Sequence, residues 1–245
     1  MRTRTKVVAL GATLLAGAAV DQARRGLRVH RSRDEVAAYW RDRSSARASG
    51  GEVLVHVALG DSTAQAVGAA HPDDGYVGRL AADLADEHGR PVHVVNLSAT
   101  GARVADLVRD QLPALAELLA DGTVPALVTV TVGANDTGRT DVADFVSDME
   151  QVLDALPSGS LVADVPYFRG PRGASSFALS GAIRRLVAER PGLVQVDLWI
   201  ATRGMRPREY AADLFHPSTR GYDRYYRAFA QARDRGLRGW AAAEA

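Results

Sequence analysis

The sequence predicts an α/β fold: parallel strands in one sheet, covered by helices on both faces. Two patterns carry this. Five short runs, VLVHVAL (53–59), VHVVNL (92–97), ALVTVTV (126–132), LVADVP (161–166) and LVQVDL (193–198), are valine-rich and apolar at nearly every position. Strands of that kind are buried on both faces, unlike the alternating strands of a half-exposed sheet. Between and after them lie stretches with helical spacing, at 76–88, 102–120, 141–156, 177–189 and 218–235. Strands alternating with helices over short connections give βαβ units with right-handed crossovers, and five of them predict a flavodoxin-like order. Pro113, inside the second helical stretch, predicts a kink or a break there.

At 245 residues the chain fits one such domain, 51–240, behind an N-terminal extension, 1–50. The absence of cysteine removes disulfides, thiolate nucleophiles and cysteine-held metals. Of the 30 basic residues, 29 are arginine and the only lysine is Lys6, so the body has no lysine for a Schiff base, a P-loop or a Ser-x-x-Lys dyad. Residues 1–50 carry eleven basic and four acidic residues, whereas 51–245 carry nineteen arginines against twenty-five acids. A mildly acidic body offers no basic face to nucleic acid.

The extension opens MRTRTK and continues VVALGATLLAGAAV, fourteen residues without charge. A positive start, a short apolar run and the small residues Ala16-Gly17-Ala18 fit a secretory signal. The arginines at 24, 25, 28, 31 and 33 resist translocation and fit an anchor or interfacial helix, with residues 1–33 touching a membrane surface. Export and membrane attachment are the two leading expectations; a cytoplasmic chain with a plain extension is the third. Arg41–Gly51, polar and glycine-ended, reads as the linker into the domain.

In a parallel sheet, ligands bind outside the carboxyl ends of the strands. Gly60-Asp61-Ser62-Thr63 follows the first predicted strand, Asn96 to Gly101 the second, and Gly133-Ala134-Asn135-Asp136 the third. Asp213-Leu214-Phe215-His216 comes after the fifth and before the last helix. A serine, a glycine, an asparagine and a histidine with an aspartate three residues earlier are the parts that acyl transfer needs.

With these four blocks in this order, over roughly residues 53 to 235, the sequence resembles the SGNH (GDSL-type) hydrolases, serine esterases and lipases. Thr63 stands where the family's name has leucine. The resemblance implies a three-layer α/β/α sandwich and ester hydrolysis without cofactor or metal, on a small-molecule or lipid ester. It implies Ser62 as nucleophile, His216 as its base and Asp213 as the group that orients the imidazole. The oxyanion would be held by the backbone N–H groups of Ser62 and Gly101 and by the Asn135 amide.

Each block also has a plainer reading. Ser62 alone is a helix N-cap, Gly101 a turn glycine, Asn135-Asp136 a helix start and His216 a packing or capping histidine. A cap, however, needs no partners at three other strand ends. Asp61 belongs with the turn and Asp136 with its loop. Arg139 and the arginines of RGPRG (169–173) read either as contacts for an anionic substrate group or as solvated loop charges. Tyr167, Phe168, Leu214 and Phe215 read as an acyl pocket or as core. The other histidines show no metal spacing. Two other function classes compete. One is a membrane-tethered binding domain without turnover; the other is a nucleotide or flavin binder, for which GDSTAQAVGAA lacks the glycine pattern.

Overall fold

A computed structural model describes residues 26, 27, 29, 31–45 and 52–243. The apolar run at 7–20 lies outside the described residues, and among those described no helix is long and apolar enough to cross a membrane. A helix over 31–45 (α1) precedes the sheet. There follow β1 (Leu54–Gly60), α2 (Tyr76–His88), β2 (Val92–Asn96) and α3 (Val104–Asp106), then a π-helical turn (Leu107–Gln111) that leads into α4 (Leu112–Ala120). β3 (Leu127–Thr131), α5 (Val142–Asp154), β4 (Leu161–Ala163), α6 (Gly173–Ala188), β5 (Val194–Val196), α7 (Leu198–Thr202) and α8 (Thr219–Ala243) complete the chain.

The five strands form one parallel sheet in the order β2-β1-β3-β4-β5, the predicted topology. Successive side chains leave a strand on opposite faces, and the core divides accordingly. Val57, Leu59, Val128, Val130 and Val162 pack with Leu107, Phe145, Met149 and Ile183 on one side. Ala58, Val94, Leu161, Ala163 and Val196 pack with Leu80, Tyr222 and Phe229 on the other. Tyr76 of α2 stacks on Phe229 of α8, with centroids 4.2 Å apart. The apolar-at-every-position strands are therefore buried on both faces, which makes the three-layer α/β/α sandwich.

Pro113 sits in the first turn of α4, where its missing N–H is not needed, and the preceding π turn takes up the break it imposes. The helix expected from 177 begins a turn earlier, at Gly173. Residues 41–45, read from sequence as the start of a linker, are the last turn of α1. That helix is part of the packed body. Trp40 is 1% exposed, joins the core beside α2 and α8, and donates its indole N–H to the Gln65 carbonyl at 2.9 Å. Tyr39 and Arg43 bind Asp73, and Ser44 Oγ accepts from the Asn96 N–H. The polar composition of 41–51 hid these contacts, because one buried face needs only a tryptophan every few turns. Trp40→Phe, which keeps a ring but loses the bond to Gln65, is expected to lower stability by about 1–2 kcal/mol in chemical denaturation.

Candidate active site

All four sequence-predicted blocks meet at the carboxyl edge of β1, β2 and β3. Ser62, Gly101, Asn135 and His216 line one cavity of about 290 Å³. Ser62 Oγ lies 2.9 Å from His216 Nε2, and His216 Nδ1 lies 2.5 Å from Asp213 Oδ2. The other carboxylate oxygen of Asp213 accepts the N–H groups of Phe215 and His216, both at 3.0 Å. Burial pushes the Asp213 carboxyl up, but the His216 hydrogen bond and charge, with those two N–H donors, outweigh it. Its pKa lies below the ordinary carboxylate value, so Asp213 is an anion at neutral pH. The three-residue spacing works because Leu214 turns the chain with φ +56°, folding aspartate and histidine onto each other. Leu214 is exposed, so this residue is a hinge of the turn and not core.

Ser62 is held by a short buried loop. Asp61 Oδ1 accepts both the N–H (2.8 Å) and the hydroxyl (2.7 Å) of Thr63, an Asx-type turn that gives Thr63 a structural task. Val67 N–H returns to the Ser62 carbonyl at 3.0 Å. Burial raises the Asp61 pKa to about 6 against these two Thr63 bonds, and its Oδ2 has no partner among the described residues. A carboxyl that holds its proton better folded than unfolded stabilises most below the unfolded value of 3.8, and that stability is lost as pH rises toward about 6. Asp61→Asn is expected to remove about 2 kcal/mol of this loss between pH 4 and 6, measured by denaturation at each pH. Asp164, which burial also raises to about 6 against its bonds from Trp199 N–H and Arg184, leaves a residual slope in that variant.

The oxyanion candidates have free donors. Among the described residues neither the Ser62 N–H nor the Gly101 N–H has a protein acceptor, and the Asn135 amide spends one hydrogen on the Ala102 carbonyl at 3.0 Å. Gly101 has φ +85°, and a Cβ there would meet nothing within 4 Å. Its dihedral, and not a crowded neighbour in the protein, is what calls for glycine.

Three amides to which the sequence analysis gave no role tie these loops together. Gln111, buried on the π turn, accepts the Gly60 N–H and donates to the Gly60 carbonyl, both at 2.8 Å. Gln65 donates to the Ser98 carbonyl and accepts the Thr100 hydroxyl, joining the serine loop to the Gly101 loop. Asn96 donates to the Ala64 carbonyl and accepts from Ser98. The only sequence signal for Gln111 was a glutamine on the apolar stripe beside Pro113.

Arg33, Arg139, Arg172 and Phe215 also line the cavity. Phe168 stacks against Phe215 with centroids 5.9 Å apart, so the aromatics expected near the site are there as a pair. Tyr167 instead packs edge-on to Trp199. A larger depression of about 860 Å³ between α7 and α8 contains none of Ser62, Gly101, Asn135, Asp213 and His216. No group of three or more metal-ligating side chains is assembled among the described residues.

A parallel α/β/α sandwich that brings a serine, a histidine and an aspartate into one hydrogen-bonded chain at its strand ends has the build of an α/β hydrolytic enzyme. Residues 58–224 match the GDSL-like lipase/acylhydrolase family, and the chain belongs to that family; it is a carboxylic ester hydrolase. Solved structures agree on the fold. TesA is 24% identical, with a TM-score of 0.61 over 73% of this chain and 97% of its own. LAE5, an alpha/beta hydrolase enzyme from the metagenome of Lake Arreo, Spain, is 23% identical, with a TM-score of 0.58 over 74% and 95%. Axe2, an acetyl xylan esterase from Geobacillus stearothermophilus, is 22% identical, with a TM-score of 0.57 over 74% and 94%. No curated protein sequence matches the chain.

Proposed function

We propose that the enzyme cleaves esters through an acyl-enzyme on Ser62. His216 takes the hydroxyl proton as Ser62 attacks the carbonyl, then gives it to the departing alcohol. Water repeats the sequence in reverse roles and releases the acid. Asp213 keeps the imidazole in the tautomer that presents Nε2 to the serine and stabilises the cation formed in between, without taking the proton itself. The Ser62 and Gly101 N–H groups and the second amide hydrogen of Asn135 receive the oxyanion. The observation that carries this reading is the continuous chain from Asp213 through both imidazole nitrogens to Ser62 Oγ. It also counts against a binding domain without turnover, which has no need of an intact relay.

The test is a fluorophosphonate, which phosphonylates an activated serine. Peptide mapping of the full-length chain is expected to find the label on Ser62 alone, in step with loss of p-nitrophenyl ester hydrolysis. A label on another serine, or turnover that survives full labelling of Ser62, overturns the assignment. Asn135→Ala is expected to lower kcat by about 10²–10³-fold with little change in KM, since the missing donor serves the transition state more than the bound ester.

A further inference from the structure

Three guanidinium groups surround the cavity that contains Ser62, and no carboxylate lines it. They come from three separate parts of the chain: Arg33 from α1, Arg139 from the loop after Asn135, and Arg172 from the turn before α6. The body that supplies two of them is acidic overall, with nineteen arginines to twenty-five acids, yet no acid joins them in the lining.

The other depression in which arginines gather has acids in its lining. In the large hollow beside α8, Asp197, Glu209 and Asp223 line the wall together with the arginines, and Arg224 binds Glu209 while Arg235 faces Asp197. None of the three arginines at Ser62 has an ion pair or a side-chain hydrogen bond to protein among the described residues. The Nε of Arg33 is buried with no acceptor among the described residues. Arg172 is held over the rings of Phe215 and Phe168, with its guanidinium carbon 5.4 and 5.8 Å from their centroids. Stacking fixes a guanidinium while leaving its in-plane donors unspent. Asp213, the acid bonded to His216 of this wall, is committed to that histidine and to its two backbone donors.

Three cations with unspent donors around one cavity raise its electrostatic potential, which favours an anion there and repels a cation. We propose that the substrate is an ester carrying an anionic group, a carboxylate or a phosphate, within a few atoms of the scissile carbonyl, and that Arg33, Arg139 and Arg172 bind it. The inference rests on the hydrolase reading of the same cavity. It also gives the N-terminal extension a place in substrate recognition, through Arg33.

The experiment uses the full-length chain and two matched ester pairs. On the acyl side, p-nitrophenyl hemisuccinate is compared with p-nitrophenyl butyrate. On the alcohol side, 1-acetylglycerol 3-phosphate is compared with glycerol monoacetate. In at least one pair, kcat/KM for the charged ester is expected to exceed its neutral match by about tenfold or more, the size of a charge-assisted hydrogen bond. That ratio is expected to fall at 0.5 M NaCl, through screening, and in the Arg33→Gln/Arg139→Gln/Arg172→Gln variant. Because the ratio is taken within one protein sample, partial misfolding of the variant cancels. A ratio near one in both pairs, or a preference that persists in the triple variant, overturns the proposal. Calorimetric titration of inorganic phosphate into Ser62→Ala reads the same wall without turnover, and saturable binding lost in the triple variant is expected. Ester turnover without phosphate binding or charge preference sinks the anion site alone. Inertness toward every ester with phosphate still bound sinks the hydrolase reading and leaves the anion site standing.

Discussion

Ser62→Ala is expected to lower kcat/KM toward p-nitrophenyl acetate by about 10⁴-fold or more, while the melting temperature moves by no more than a few degrees. The two halves of this expectation have separate physical grounds. Among the described residues Ser62 Oγ makes one hydrogen bond, to His216, and the loop around it is held by Asp61, Thr63 and Val67 through groups that the substitution leaves in place. Alanine therefore removes the proposed nucleophile and little else. Residual hydrolysis would come from the oxyanion donors acting on water attack, and it should lose the burst that an acyl-enzyme produces with a fast-leaving nitrophenolate. If the variant retained the burst, or lost activity together with its cooperative unfolding transition, Ser62 would be a structural residue and the mechanism would have to move to another group.

Much of this was legible in the sequence, for reasons particular to it. The strands declared themselves because both faces of the sheet are covered, so valine runs with no polar beat had one plausible placement. The candidate site was legible because chemistry in a parallel sheet collects at strand ends, and Ser62, Gly101 and Asn135 stand in the loops after β1, β2 and β3, with Asp213–His216 between β5 and α8. What stayed hidden depends on partners distant in the chain. Gln111 brackets Gly60 from fifty-one residues away, and a buried glutamine on a helix gives no local sign of what it binds. Arg33 sits in a segment whose composition speaks of lipid surfaces and linkers, and only the docking of Trp40 brings it to the cavity. Arg139 and Arg172 were visible as residues, but a solvated arginine and a substrate-facing one differ only in whether a carboxylate is near. That difference is one of three-dimensional placement.

The second large effect is expected at Gly60, the residue on which β1 ends. Gly60 has φ +139°, and a Cβ built on it would stand 2.0 Å from the Thr131 carbonyl oxygen and 2.8 Å from its carbon. Both are backbone atoms of the neighbouring strand, so no side chain can swing aside. β1 and β3 would have to part at the point where Asp61 N–H bonds Thr131 and where Gln111 clamps the Gly60 peptide. Gly60→Ala is expected to cost about 3 kcal/mol or more, from a strained dihedral and an overpacked contact together. For a chain of this size that is a fall in melting temperature of about 6–12 °C. Gly89→Ala is the control. Gly89 also has a positive φ, +61°, in the ordinary left-handed region, and nothing lies within 4 Å of its Cβ position, so it carries only the modest left-handed cost and is expected to lose about 1 kcal/mol. Equal losses at the two sites would mean that the strand contact contributes nothing, and that Gly60 is required only for its dihedral. A much larger loss at Gly60 would mean that its dihedral and its seat against Thr131 together fix where the chain turns, and hence where Ser62 stands relative to His216.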